Sequence, residues 1–201
     1  MSDSTSLSRS ERRKRRTRLG LIEAAQRLAR ANGLDNVTMQ DITEQADVGL
    51  GTFYNYFESK ADVYEAVNTE LQSQFFDELD EIKAGIKDPA MGFAFSLRYW
   101  IESFVEMTDW AWFAKNSDSM TRLADTARLI QDVQRAVDAG RFNVDSPEFV
   151  LSAIDGIIQS TETQLRENSA FIDKVIYYIL RMLGMSDSEA KTLSSTPLKN
   201  R

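Results

Sequence analysis

Apolar residues recur along this chain at steps of three and four, the spacing of one helical face, from about residue 17 to residue 183. Leu21, Ile22, Ala25, Leu28 and Ala29 form the inward stripe of a first helix, about Thr17 to Asn32, and Gly33 ends it. Thr38, with Asp41 three residues on, is a capping-box start for a short helix carrying Met39, Ile42 and Ala46 on one side. Asp47-Val48-Gly49 breaks that pattern, and a second short helix is predicted from about Leu50 to Phe57, with Phe53 and Phe57 facing inward. Ser59 and Asp62 cap a long helix from Lys60 to about Ile86, with Val63, Ala66, Val67, Leu71, Phe75 and Leu79 in register. Asp88-Pro89 restarts helix as far as about Asp109. This segment is apolar on two faces, one through Phe93, Leu97, Trp100, Phe104 and Met107, the other through Met91, Phe95 and Tyr99, so protein surrounds it. A further helix is predicted over about Ser119–Ala139, with Leu123, Ala127, Ile130 and Val133 inward. Another runs from Ser146-Pro147 to about Asn168, and a last one, apolar nearly all round, from about Ser169 to Leu183. The serine-rich first ten residues and the stretch after Gly184 read as loose tails.

Between Thr38 and Lys60 the pattern is that of a helix-turn-helix, whose second helix enters the major groove of DNA. Opposite Phe53 and Phe57 lie Gly51, Thr52 and Asn55, small and polar enough for close approach to a groove floor, flanked by Tyr54 and Tyr56, whose hydroxyls can reach phosphate. Lys60 places a positive charge at the next helix start. The run GLDNVTMQDITEQADVGLGTFYNYFESKADVYEAV resembles the DNA-binding domain of the TetR family of bacterial transcriptional repressors, over about residues 16 to 67. The matching positions are Gly33, Thr38, Ile42, Ala46, Val48, Gly51 to Tyr54, Tyr56, Phe57 and Lys60. Three positions depart from the family pattern. Asp47 stands where Gly is usual, so the turn requires Asp in the left-handed region. Gly49 stands where Ser is usual, so the second helix has no side-chain cap. Leu50 stands where a polar residue is common, which brings an apolar contact such as a thymine methyl into the base-reading set.

The resemblance implies an all-α protein: an N-terminal three-helix helix-turn-helix domain, then a larger C-terminal helical domain for ligand binding and dimerisation. The expected layout is a flexible basic arm (1–16), the DNA-binding domain (17–64), the C-terminal domain (65–184) and a tail (185–201). The long helix from Lys60 is expected to link the two domains. The implied DNA-contacting residues are Arg15, Arg16, Arg18, Thr38, Gln40, Leu50, Gly51, Thr52, Tyr54, Asn55, Tyr56 and Lys60.

Composition narrows the choice of function. The 201 residues contain neither cysteine nor histidine, which removes disulfides, the commonest zinc ligands and the commonest general base, so no metal or cofactor is expected. No apolar run is long enough for a membrane span, no signal-peptide core opens the chain, and the expected address is the cytoplasm, at the nucleoid. A net charge of −7 argues at first against nucleic acid, but the charge is unevenly placed. Residues 1–30 hold nine basic and three acidic side chains, whereas residues 61–201 hold 14 basic and 23 acidic ones. A basic end on an acidic body suits a protein that meets DNA with one face.

The densest aromatic region follows the second half of the Pro89 helix. It is read as the wall of a small-molecule pocket, formed by Phe95, Tyr99, Trp100, Phe104, Met107, Trp110, Trp112, Phe113 and Met120, with Gln159 as a hydrogen-bonding partner. Core packing alone also explains such a stripe. Arg98, Glu102, Lys115 and Arg122 are the charges near enough to orient a ligand. The last two helices, with Ile154, Ile157, Ile158, Phe171, Val175, Tyr178, Ile179 and Met182, are expected to pair with a second copy as a four-helix interface. These expectations converge on a homodimeric, ligand-responsive regulator, most simply a repressor released from a palindromic operator by a small hydrophobic or amphipathic effector. A C-terminal domain that receives a protein or peptide partner, or an activator, is the alternative. An enzyme is disfavoured, with no catalytic residues assigned. Gly49-Leu50-Gly51 begins like a dinucleotide fingerprint, but Tyr54 fills the third glycine's place and no strand precedes it.

Overall fold

The computed structural model describes residues 8–116 and 121–198. The described residues form ten helices and no strand: α1 Arg9–Asn32, α2 Met39–Gln45, α3 Leu50–Phe53, α4 Lys60–Lys83, α5 Pro89–Glu106, α6 Asp109–Asn116, α7 Thr121–Asp138, α8 Pro147–Glu167, α9 Ala170–Met182 and α10 Asp187–Ser194. The chain divides into two compact units, Met1–Leu71 and Gln72–Arg201, with the division inside α4.

In the first unit α1 packs on α2 and α2 on α3. Leu21, Ile22, Ala25, Ala29, Ile42, Phe53, Phe57, Val63 and Val67, picked out by the periodicity, are buried there, and so is Val37. The N-terminal stretch differs from expectation. Instead of a flexible arm to residue 16, α1 begins at Arg9, because Ser8 and Glu11 form a capping box. The Ser8 amide donates to the Glu11 carboxylate at 2.7 Å and the Glu11 amide to the Ser8 hydroxyl at 3.2 Å.

The second unit is built around α5, which packs against α6, α7, α8, α9 and α10. Eleven of its residues are buried, as a helix apolar on two faces requires. Asp88 caps it through the Ala90 amide, and it ends earlier than predicted, at Glu106, where Met107 turns left-handed (φ 51°) and α6 begins two residues on. One core runs through Phe93, Leu97 and Ile101 of α5, Leu151, Ile154 and Ile158 of α8, and Ile172, Ile176 and Ile179 of α9.

The expected loose tail after Gly184 contains a helix. Ser186 accepts from the Glu189 amide and opens α10, which packs on α9 and buries Ala190 and Leu193, with Met185 ahead of it. Arg98 of α5 holds the end of α10: it donates to the Ser194 carbonyl and pairs with Asp173 of α9 at 2.5 Å and Glu102 at 3.4 Å.

Candidate nucleic-acid interface and cavity

The reading motif sits wholly in the first unit. Thr38 begins α2 with a full capping box: its hydroxyl accepts from the Asp41 amide at 3.1 Å, and its own amide donates to the Asp41 carboxylate at 2.8 Å. The hydroxyl of Thr38, and then its amide, hold the Asp41 carboxyl below the usual carboxylate range. Asp47 takes φ 53°, the left-handed turn that its replacement of Gly demands. Gly49 caps α3 without a side-chain hydrogen bond.

The second helix is shorter than predicted. Its α-helical part stops at Phe53, and the chain reaches Phe57 through tighter turns, with the Asn55 amide on the Thr52 carbonyl at 3.2 Å and the Tyr56 amide on the Phe53 carbonyl at 2.9 Å. Phe53 and Phe57, fully or nearly buried with ring centroids 5.7 Å apart, anchor this short element from below. That leaves Leu50 and Tyr54 largely exposed, at 45% and 52%, beside exposed Gly51 and Asn55 and half-buried Thr52 and Tyr56. The Tyr54 hydroxyl rests 3.7 Å from the Met39 sulfur, which fixes the ring across α2 and α3. Gln40 is exposed and bonds Glu44 at 3.3 Å.

Lys60 departs from its expected role. Its ammonium is engaged by the carbonyls of Val37 at 3.0 Å, Leu34 at 3.1 Å and Asp35 at 3.5 Å, so it closes the loop ahead of α2 rather than standing open to a phosphate. The Tyr64 hydroxyl also donates to Leu34, at 3.5 Å, and burial first, then the nearby carboxylates of Asp35 and Asp41, push its pKa up to about 12. Arg15, Arg16 and Arg18 are exposed on a continuous helix, and Arg18 lies over the Phe57 ring at 5.3 Å.

The second unit holds a cavity of about 720 Å³. Phe93, Leu97, Trp100, Ile101 and Phe104 of α5 form one wall, with Leu129 of α7 and Leu151, Ile154, Ile158 and Leu165 of α8. Trp100 and Phe104 meet edge to face at 5.0 Å. The polar lining comes mostly from α8: Glu148, Ser152, Asp155, Gln159, Glu162 and Arg166. Glu162 binds Lys115 of α6 at 2.8 Å and Arg166 at 3.0 Å, and these two cations, Lys115 first, hold its carboxyl below the usual range.

Among the described residues, Trp100, Phe104 and Gln159 are the expected pocket residues that border this space. Phe95 and Tyr99 lie buried away from it, since a helix apolar on two faces sends adjacent rings in different directions. Tyr99 stacks on Phe75 of α4 at 4.8 Å and donates its hydroxyl to Glu78. Met107 serves the bend between α5 and α6. Phe113 is buried against Trp112 at 5.0 Å, and neither lines the cavity. The side chains of Trp110, Met120, Arg122 and Leu123 lie outside the described residues. Apart from Gln159, the α8 contribution was missed, although its polar residues recur at steps of three and four beside the Leu151–Ile154–Ile158–Leu165 stripe, a pattern visible in the sequence.

The residues expected between subunits also divide. Ile154, Ile158, Val175 and Ile179 are buried within the chain itself, in the core of the second unit, and so are unavailable to a partner. Ile157 and Phe171 are half-buried. Tyr178 and Met182 are exposed at 59% and 41%, and Phe149 of α8 is 73% exposed. Among the described residues no helix is long and apolar enough to cross a membrane, and no cluster of three or more ligating side chains could hold a metal.

A helix-turn-helix on a small helical unit, followed by a larger helical unit with a cavity, is the architecture of a class of DNA-binding regulators. Residues 21–67 match the bacterial regulatory proteins of the tetR family, and residues 88–196 match the tetracyclin repressor-like C-terminal domain. The chain belongs to the TetR family and is a transcriptional regulator. Among curated proteins none matches it by sequence. Among solved structures, RolR in complex with resorcinol aligns with a TM-score of 0.73 and 27% identity over 94% of this chain and 98% of that one. RolR without ligand aligns at 0.70 and 27% identity, covering 90% and 98%. A γ-butyrolactone receptor (ArpA-like protein), at 0.62 and 15% identity over 90% and 96%, shares the fold.

Proposed function

We propose that this chain is a homodimeric repressor that reads a palindromic operator and is released by a small aromatic or amphipathic effector bound in the second unit. The observation that carries the reading is the 720 Å³ cavity, with Trp100 and Phe104 in its wall, in the same chain as an exposed reading helix. Its size falls in the range of small-molecule sites. The relative with 27% identity was solved with resorcinol, a small aromatic, which supports an effector of that size and character. Paired heads about 34 Å apart would meet successive major grooves on one side of B-DNA. Leu50, Gly51, Thr52 and Asn55 would face base edges, with Tyr54, Tyr56 and the arginines of α1 on the backbone. Effector binding would favour a conformer with mismatched heads and lower operator affinity by roughly 5- to 150-fold, the usual span of such coupling. The reading includes no catalytic step.

Selection of bound fragments from a random DNA pool tests it. The expected product is an inverted repeat with half-sites about 10 base pairs apart, centre to centre. Resorcinol and a panel of small aromatics added to the selected fragment should include at least one that weakens binding. Recovery of unselected sequence at moderate salt overturns the reading.

A further inference from the structure

The charged and polar groups around the cavity are unequally occupied. Lys115 is engaged by Glu162 at 2.8 Å. Arg166 spends two of its donors on the same Glu162 oxygen, at 3.0 and 3.2 Å, and a third on the Val105 carbonyl at 3.0 Å. Ser96 donates to the Gly92 carbonyl at 3.0 Å, and Gln159 donates to Oδ2 of Asp155 at 2.5 Å. The cations of the lining are therefore both engaged within the protein, Lys115 through one bond and Arg166 through three. Several acceptors of the lining are not. Among the described residues Oδ1 of Asp155 receives no donor, the Gln159 carbonyl oxygen receives none, and Glu148 receives only a long bond from Ser146 at 3.4 Å. The Ser152 hydroxyl can act either way.

A ligand in this space meets aromatic carbon from α5 and hydrogen-bond acceptors from α8. We infer that the cavity selects an aromatic effector that donates hydrogen bonds, through hydroxyl or ammonium groups, and rejects carboxylates, with Asp155 as the specificity-determining residue. The inference rests on the proposed role of the cavity as the effector site. A donor reaching Asp155 gains a charge-assisted bond. A cationic donor also gains from the faces of Trp100 and Phe104. A carboxylate brings further lone pairs to a wall that already carries Glu148, Asp155 and Glu162, and among the described lining residues the cations Lys115 and Arg166 already have their charge offset by Glu162.

Four probes of similar size separate these outcomes when titrated calorimetrically into the full chain: hydroquinone, its dimethyl ether, benzylammonium and benzoate. Hydroquinone or benzylammonium is expected to bind at least about tenfold more tightly than the ether and than benzoate, the scale of one hydrogen bond to a charged acceptor. Whichever of these two binds tells hydroxyl from ammonium. In Asp155→Ala that advantage over the ether should fall to within about threefold, and Asp155→Asn should weaken benzylammonium more than hydroquinone. Benzoate binding as tightly as the donors, or an undiminished donor advantage in Asp155→Ala, overturns the inference and leaves the effector-site reading standing. Failure of all four probes to bind overturns both.

Discussion

At the scale of single residues, polar groups fix the geometry that apolar burial leaves open. Asp47 holds a left-handed turn usually given to glycine, and Gly49 leaves α3 uncapped, so the short reading helix depends on Phe53 and Phe57 for its position. Lys60 binds three carbonyls that would otherwise face one another in the loop before α2. Replacing it with methionine keeps the aliphatic stem and removes the donors. Lys60→Met is expected to lower the stability of the first unit by about 1–3 kcal/mol, the scale of losing hydrogen bonds from a charged group. The midpoint of urea unfolding measures this, and an unchanged midpoint would show the carbonyls content with water. The sequence marked Lys60 as important but assigned its charge to DNA, because a partner 23 residues away is not visible in local spacing.

Among elements, the two that differ most from expectation share one signature. Ser8 with Glu11 and Ser186 with Glu189 are both Ser-x-x-Glu, and each opens a helix where polar composition suggested a tail. Composition was the weaker guide, since a cap and a few buried residues outweigh local polarity. The Ser8 hydroxyl, then its amide, lower the Glu11 carboxyl pKa. A depressed carboxylate contributes stability above its unfolded pKa and loses it as pH falls through the folded value. The first turn of α1 is therefore expected to fray in acid, below the ordinary range of glutamate. Carbon-detected NMR titration of Glu11 checks the cause: its midpoint should move up towards the ordinary value in Ser8→Ala. An identical midpoint in both forms would exclude the cap as the source. In α5, one helix serves three directions through consecutive residues, with Arg98 towards α9 and α10, Tyr99 towards α4, and Trp100 on the cavity.

For the molecule as a whole, the proposed dimer requires a face on which two copies meet. The apolar side chains left exposed on α8 and α9 are Phe149, Tyr178 and Met182, and on the proposed reading these belong to the subunit interface. Tyr178→Asp is expected to shift the protein to monomer in sedimentation equilibrium and to cost most of its operator affinity, since a single head loses the linked second contact. A dimer that survives Tyr178→Asp would move the interface elsewhere. The sequence by itself determined the helical class, the helix-turn-helix and its caps, and most of the buried stripes, because these follow from short-range periodicity and from chemistry within four residues. Only the tertiary structure decided which aromatic rings border the cavity, which isoleucines are already buried within the chain, and what Lys60 and Arg98 hold. Those choices depend on which face of each helix meets which neighbour: periodicity puts Phe95 and Tyr99 on a different face of α5 from Trp100, but only the packing shows which face borders the cavity.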